Sequence, residues 1–65
     1  MNISVNNCDV DVPKDITVAL LLKELNYKAT VAVWINGEQI FMLDYSRRLV
    51  KWNDKVRLLR ILGGG

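Results

Sequence analysis

The segment that decides the fold is Thr30-Val31-Ala32-Val33-Trp34-Ile35-Asn36-Gly37. Its first six residues are β-branched or apolar at every position, a pattern that favours a strand covered on both faces of a sheet. The pair Asn36-Gly37 is the one that two-residue β-hairpin turns prefer. A short strand over Glu38-Gln39-Ile40 is therefore predicted to return beside the first.

Upstream of this hairpin, the spacing of apolar residues predicts a helix from Thr17 to about Asn26. The Thr17 hydroxyl can accept a hydrogen bond from a backbone N–H of the first turn, and Asn26 is suited to the C-cap. Leu20 lies off the apolar stripe and is expected to be partly exposed. The stripe, which must pack on a sheet, comprises Val18, Leu21, Leu22 and Leu25.

An N-terminal hairpin is predicted from two runs in which apolar and polar residues alternate. The turn residues Asn6-Asn7 separate the runs, and Pro13 ends the second because proline cannot donate to a strand ladder. The apolar positions are Met1, Ile3 and Val5 in the first run, and Cys8, Val10 and Val12 in the second. The parity of Cys8 with the two valines predicts a buried packing residue and not a reactive thiol.

After the central hairpin, the segment 41–50 has no clear period and is interpreted as a loop with a helical turn. Asn53-Asp54 then turns the chain into a last strand over Lys55–Leu62. Alternate residues of a strand face opposite sides, with Val56 and Leu58 on one side and Leu59 and Ile61 on the other. Only one side can lie under a single helix. The other is either covered by the loop 41–50 or exposed as an apolar patch that docks a partner.

The order strand, strand, helix, strand, short strand, strand predicts an α+β domain. We expect a mixed sheet of four to five strands with one main helix packed on one face. This is the β-grasp, or ubiquitin-like, arrangement, in which the first and last strands lie parallel at the centre of the sheet. Residues 1–62 are assigned to this domain and residues 63–65 to a flexible C-terminal glycine tail.

Composition favours one small globular domain. Of the 65 residues, 51% are hydrophobic and 25% are charged, as in ordinary folded domains. The start of the chain lacks the features of a signal peptide, and there is no apolar run of the length that spans a membrane, so a cytoplasmic location is expected. One cysteine and no histidine exclude a Cys/His metal site and Ser-His or Cys-His catalysis.

The glycine tail is the most informative feature of the sequence. Three of the four glycines are Gly63, Gly64 and Gly65, directly after an apolar strand. A tail without Cβ atoms is narrow and can enter a tight channel on another protein, where it would present the Gly65 carboxylate. ATP can activate such a carboxylate as an acyl-adenylate. A frayed end or a cloning remnant is the alternative interpretation.

Several segments together resemble the ThiS family of thiamine-biosynthesis sulfur carriers. Val56–Gly65 resembles the family's last strand, which ends in an aliphatic residue and two or three glycines. Thr17-Val18 with the following leucines resembles its helix, and Val33–Glu38 resembles its central strand and turn. Asn53-Asp54-Lys55-Val56 lies where the family usually has Gly-Asp, a basic residue and Val. The family often has Pro-Arg where this chain has Phe41-Met42.

The resemblance implies a protein carrier and not an enzyme. An E1-like, ThiF-like adenylyltransferase would use ATP to adenylate Gly65, with Gly63 and Gly64 as the thread. Sulfur from a donor such as a cysteine desulfurase would then give a thiocarboxylate for a ThiG-like thiazole synthase. The possible docking surface comprises Leu58, Leu59, Arg60 and Leu62. No bound cofactor, metal, nucleic acid or membrane is expected.

Other functions remain open from the sequence. The molybdopterin-synthase small subunit, another sulfur carrier and a ubiquitin-like modifier attached through Gly65 share the diglycine end. Charge is uneven: residues 1–33 hold three Lys and four acidic residues (−1), and residues 34–65 hold six Lys or Arg and three acidic residues (+3). A more distant alternative is a nucleic-acid-binding module that uses Arg47, Arg48, Lys51, Arg57 and Arg60. The aromatic residues Tyr27, Trp34, Phe41, Tyr45 and Trp52 are expected in the core or at its rim, without the basic interleaving of a base-stacking platform.

Overall fold

The structure is a computed structural model, and it describes residues 1–60. The strands are β1 (Asn2–Val5), β2 (Cys8–Asp11), β3 (Ala32–Ile35), β4 (Glu38–Ile40) and β5 (Lys55–Leu59). The helix α1 spans Val18–Glu24, and a short 3-10 helix spans Met42–Asp44. The predicted order of elements is confirmed, although β5 ends earlier than expected. Ile61 and Leu62 lie outside the described residues.

The five strands form one mixed sheet in the order β2-β1-β5-β3-β4. β1 and β5 pair in parallel, with Val5 opposite Val56, and the other neighbouring pairs are antiparallel. The first and last strands therefore lie side by side within the sheet, as the β-grasp prediction requires. Because β3 flanks β5 on its other side, the chain leaves β5 from the interior of the sheet.

Both hairpin turns use left-handed backbone conformations. Asn6 and Asn7 have φ of 49° and 69°, and Asn36 and Gly37 have φ of 52° and 85°. Positive φ at both central residues is what a type I′ turn requires, and asparagine and glycine adopt it at the least cost. Both turn predictions are confirmed.

The helix has the predicted N-cap and a well-formed C-terminus. The Thr17 hydroxyl accepts a hydrogen bond from the Leu20 backbone N–H at 3.2 Å. Asn26, with φ of 62°, follows the capping residue Leu25. The backbone N–H of Asn26 donates to the Lys23 carbonyl at 3.1 Å, and that of Tyr27 to the Leu22 carbonyl at 2.8 Å. These two bonds define a Schellman motif.

The hydrophobic core of residues 1–60 lies between α1 and one face of the sheet. The helix contributes Val18, Leu21 and Leu22, and the sheet contributes Ile3, Val5, Val33, Ile35, Val56 and Leu58. From the loop 41–50, Tyr45 and Val50 belong to the same core. The Tyr45 hydroxyl donates to the Val31 carbonyl at 2.7 Å, and burial raises the pKa of Tyr45 above its ordinary value.

Two expectations about burial in the strands are wrong. Cys8 is exposed, because it stands at the start of the edge strand β2, where none of residues 1–60 covers it. Burial in the second run increases along the chain, from exposed Cys8 through half-buried Val10 to buried Val12. β3 is not covered on both faces, since Ala32 and Trp34 remain half-buried on the face opposite the helix.

Candidate functional site

The candidate site lies where β5 ends and the chain continues toward the glycine tail. Leu59 is the last residue of the strand, and Arg60 is the last residue that the structure describes. The predicted carrier residues Gly63, Gly64 and Gly65 lie outside the described residues, as does Leu62 of the predicted docking surface. The structure therefore describes the end of β5, from which the tail continues.

The two neighbouring leucines of β5 face opposite sides of the sheet. Leu58 is 5% exposed and belongs to the core, whereas Leu59 is 51% exposed. The loop 41–50 does not cover the side of Leu59, because its buried residues pack on the helix side. Of the two alternatives drawn from the sequence for the side of Leu59, exposure applies to Leu59. The expected place of Leu58 in a docking surface is wrong, because its side chain faces the helix and is buried.

Leu59 borders an open groove of about 790 Å³ on the helix-free face of the sheet. The side chains that give the groove its chemical character are Ser4, Asn6, Trp34, Lys55, Arg57 and Leu59. Trp34 and Arg57 occupy directly opposite positions on β3 and β5. The groove thus combines an aromatic ring, an aliphatic side chain and two cations.

Among the described residues of the sheet, the acidic side chains on this face lie on the outer strand β2. Asp9 pairs with Ser4 of β1, and Ser4 pairs in turn with Lys55 of β5. Asp9 is therefore two strands away from the cations of the groove. A partner that carries acidic and apolar groups would match the centre of this face.

Arg60 is held against the helix terminus. Its guanidinium carbon lies 4.8 Å from the centroid of the Tyr27 ring, which is a cation–π distance. Tyr27 is itself fixed by the Schellman motif that ends α1. The direction in which the chain leaves β5 is consequently linked to the end of the helix.

The start of β5 is fixed by a polar network. Asp54, only 9% exposed, accepts hydrogen bonds from the Asn36 side-chain amide at 3.0 Å and from the Lys51 backbone N–H at 2.8 Å. The Asn36 side-chain oxygen accepts from the Lys55 N–H at 2.9 Å. This network joins the two turn segments Asn36-Gly37 and Asn53-Asp54 in space.

The end of β5 is held by Asn6. The Asn6 side-chain oxygen accepts from the Leu58 N–H at 2.8 Å, and its amide nitrogen donates to the Leu58 carbonyl at 3.2 Å. The sequence pattern predicted only a turn at Asn6-Asn7. A contact between residues 52 positions apart has no local signal in the sequence.

The basic residues of the nucleic-acid alternative do not form one surface. Arg47 pairs with Asp44 at 2.9 Å, and Arg48 lies 3.7 Å from Glu38. Arg57 lies in the groove on the opposite side of the sheet from these loop residues, and Arg60 covers Tyr27. No continuous basic stripe is formed by the described members of this set.

A second exposed apolar segment has no signal in the sequence pattern. Phe41, Met42 and Leu43 are 66%, 54% and 89% exposed at the start of the loop. Trp52 is also 61% exposed. The expected core or rim position is therefore wrong for Phe41 and Trp52, which lie in a loop and a turn outside the core. Phe41-Met42 is the position where the resemblance departs from the family's usual Pro-Arg.

Within residues 1–60, no group of three or more Cys, Asp or Glu side chains is placed to hold a metal ion. The one α-helix of that same portion is too short to cross a membrane.

Two solved structures resemble the chain over its whole length. The crystal structure of the thiamine biosynthesis protein (ThiS) from Geobacter metallireducens matches with a TM-score of 0.85 and 32% identity, and the match covers 100% of both chains. The NMR solution structure of a thiamine biosynthesis protein from Geobacter metallireducens matches with a TM-score of 0.79 and 33% identity, covering 100% of this chain and 88% of that one. No family model and no curated protein matches the sequence.

Proposed function

The chain belongs to the ThiS family, and from this premise we propose that it is a sulfur carrier whose reactive group is the carboxylate of Gly65. The protein would be a co-substrate that other enzymes load and unload. Gly63 and Gly64 would form the narrow thread that enters the active sites of those enzymes.

The observation that supports this proposal is the position of β5. The strand lies between β1 and β3, and side-chain amides hold it at both ends. A tail that follows such a strand has a rigid base, so less of the chain must be ordered when the tail enters a channel. A rigid base also fixes the distance from the docking surface to the carboxylate.

Loading of sulfur onto Gly65 requires two chemical steps. A Gly65 carboxylate oxygen attacks the α-phosphorus of ATP, pyrophosphate leaves, and an acyl-adenylate forms. A hydrosulfide ion then attacks the carbonyl carbon, a C–S bond forms, and the C–O bond to AMP breaks. One proton is released, and the product is a thiocarboxylate. In the cell, a cysteine desulfurase would hold this sulfur as an enzyme persulfide, and a thiol would reduce the persulfide to release hydrosulfide, forming a disulfide with the remaining sulfur.

The groove beside Leu59 is the proposed docking surface for the adenylating partner. Leu59 and Trp34 offer apolar contact area, and Lys55 and Arg57 favour an acidic partner surface. Leu58 does not belong to this surface, because its side chain is buried. The partners would be a ThiF-like adenylyltransferase and a ThiG-like thiazole synthase.

Thiamine thiazole formation is the proposed destination of the sulfur. Both similar structures are thiamine biosynthesis proteins, which favours this branch over the molybdopterin-synthase subunit. A thiocarboxylate form that supports thiazole formation with thiazole synthase, but not molybdopterin formation, is expected. A ladder of lysine-linked conjugates in cell extract would instead identify a protein modifier.

The central experiment removes the end of the tail. Deletion of Gly64 and Gly65 shortens the reach by roughly 7 Å of extended chain. The carboxylate would then miss in-line attack on ATP, so kcat/KM for pyrophosphate release should fall at least ~100-fold. Thermal unfolding should be unchanged, because the deleted residues carry no side chains.

Intact mass supplies the matched readout. With ATP, the adenylating enzyme and sulfide, the full-length chain should gain the mass difference between a sulfur and an oxygen atom. A chain extended beyond Gly65 should remain unmodified until the extension is cut off. Normal adenylation of the chain that lacks Gly64 and Gly65 would show that the tail is only a frayed end. The carrier proposal would then be wrong.

A further inference from the structure

We propose that Asn6 is a positioning residue for the tail, because its side-chain amide replaces a peptide group in the ladder between β1 and β5. This inference rests on the proposed carrier function and assigns a part in it to a residue outside the tail. The described contacts give Asn6 a role that its place in a turn does not require.

The ladder between β1 and β5 is made by the main chain until β1 ends. The Ser4 N–H donates to the Asp54 carbonyl at 3.0 Å, and the Asn6 N–H donates to the Val56 carbonyl at 2.9 Å. The next groups in this series are the N–H and the carbonyl of Leu58. In a longer parallel pair, they would bond to the next peptide groups of β1.

The main chain of β1 cannot continue to Leu58. Asn6 has φ of 49°, and Asn7 has φ of 69°, so the chain turns away into β2 at this point. The amide of Asn6 carries one acceptor and one donor group, as a peptide unit does. It accepts from the Leu58 N–H and donates to the Leu58 carbonyl, which continues the ladder by one step.

The position of this step matters for the tail. Leu58 is the last buried side chain of β5, and Leu59 and Arg60 follow it directly. Both backbone groups of Leu58 are partly buried and, without the amide, have no strand partner on the β1 side. Loss of the amide would let the strand end fray, and this segment would have to be ordered again at each docking event.

The test compares Asn6→Gly with Asn7→Gly. Both substitutions lie in the same turn, and glycine accepts positive φ at either position. Only Asn6→Gly removes the amide, since Asn7 makes no side-chain hydrogen bond within the described residues. Amide hydrogen exchange of Leu58, together with the KM and kcat of adenylation, provides the readouts.

For Asn6→Gly, we expect exchange at the Leu58 amide to accelerate on the order of tenfold and KM to rise on the order of tenfold. The kcat value should stay within about twofold, because the tail keeps its length and its terminal group. Asn7→Gly should leave the exchange rate and KM at the values of the unaltered chain. Asn6→Asp keeps the acceptor for the Leu58 N–H and loses the donor. Its Leu58 exchange rate and its KM should therefore lie between those of Asn6→Gly and Asn7→Gly.

Each outcome decides something different. Unchanged exchange at Leu58 in Asn6→Gly would overturn the ladder role, and faster exchange with an unchanged KM would overturn the positioning role. If Asn6→Gly fails to fold, Asn6→Asp is judged by the same two criteria. If the unaltered chain is not adenylated at all, the proposed function fails and the positioning role with it, while exchange still decides the ladder contact.

Discussion

At its first residue, Lys55, β5 is held by a network that includes a buried carboxylate, whereas at its last residue, Leu59, half of the side chain is exposed. Asn36 and Asp54 form the network at the start. Asn6 alone provides the side-chain hydrogen bonds described at the end. The start of the strand is therefore built for stability, and the end combines a fixed register with an accessible surface.

The same kind of hydrogen bond occurs at both ends of β5, in different surroundings. At both, an asparagine in a left-handed turn directs its side chain to backbone groups of β5. Asn36 also binds the Asp54 carboxylate, so its loss affects a buried charge. Asn6 binds neutral backbone groups only, and its loss affects a strand end that is partly exposed. Changes to the hydrogen-bond network at the start should thus reduce stability, and changes to the exposed side chains at the end should reduce docking.

The largest expected difference lies between the adjacent variants Leu58→Asp and Leu59→Asp. Leu58→Asp places an unpaired carboxylate in the core, which costs several kcal/mol and should unfold a domain of this size. Leu59→Asp should fold normally, because its side chain is already half exposed. It should raise the KM of adenylation at least about tenfold by removing apolar contact from the groove. Circular dichroism and pyrophosphate release measure the two effects.

Leu59→Ala and Lys55→Ala are the controls for this pair. Leu59→Ala separates lost contact area from the new negative charge, and Lys55→Ala tests the charge of the groove at its other end. A folded Leu58→Asp would contradict the core position. A folded Leu59→Asp with normal KM would exclude the groove as the docking surface.

The second prediction concerns the start of the strand. Asp54→Ala leaves the Asn36 amide and the Lys51 N–H without their acceptor, so the free energy of unfolding should fall by about 2–3 kcal/mol. The KM and kcat of the folded fraction should not change, because the groove and the tail are intact. Urea titration and adenylation at a temperature well below the transition provide the measurements. A KM change as large as that of Leu59→Asp would remove the proposed division between the two ends.

Much of the fold could be predicted from local patterns. The asparagine turns, the N-cap at Thr17 and the alternation of Val56 and Leu58 each depend on short-range chemistry, and the structure confirms them. Cys8 was predicted wrongly because alternation indicates which side a residue faces, but not whether anything packs over it. An edge strand exposes its ends on both sides.

The candidate site was predictable only in part. The exposure of Leu59 depends on where the loop 41–50 packs, and no periodicity in the loop indicates this. The contacts of Asn6 with Leu58 and of Asp54 with Asn36 join distant segments. A single sequence shows the residue types at these positions without showing that they meet. The exposure of Phe41–Leu43 was not predicted, because it too depends on how the loop packs against distant segments.

The smallest expected effect tests the contact between Arg60 and Tyr27. A cation–π pair at a partly exposed site contributes about 0.5–1 kcal/mol, so Arg60→Ala and Tyr27→Leu should show a coupling energy of that size in a double-mutant cycle of unfolding. Arg60→Lys should retain part of the coupling, since it keeps the charge but loses the planar group. Because the guanidinium is already held on the ring, Arg60→Ala should raise the KM of adenylation by less than threefold, well below the effect of Leu59→Asp. Arg60 would instead contact the partner directly if Arg60→Ala raised KM by more than this, if Arg60→Lys kept a normal KM, and if no coupling to Tyr27 were measured. The end of β5 would then dock through charge at Arg60 as well as through the apolar surface of Leu59.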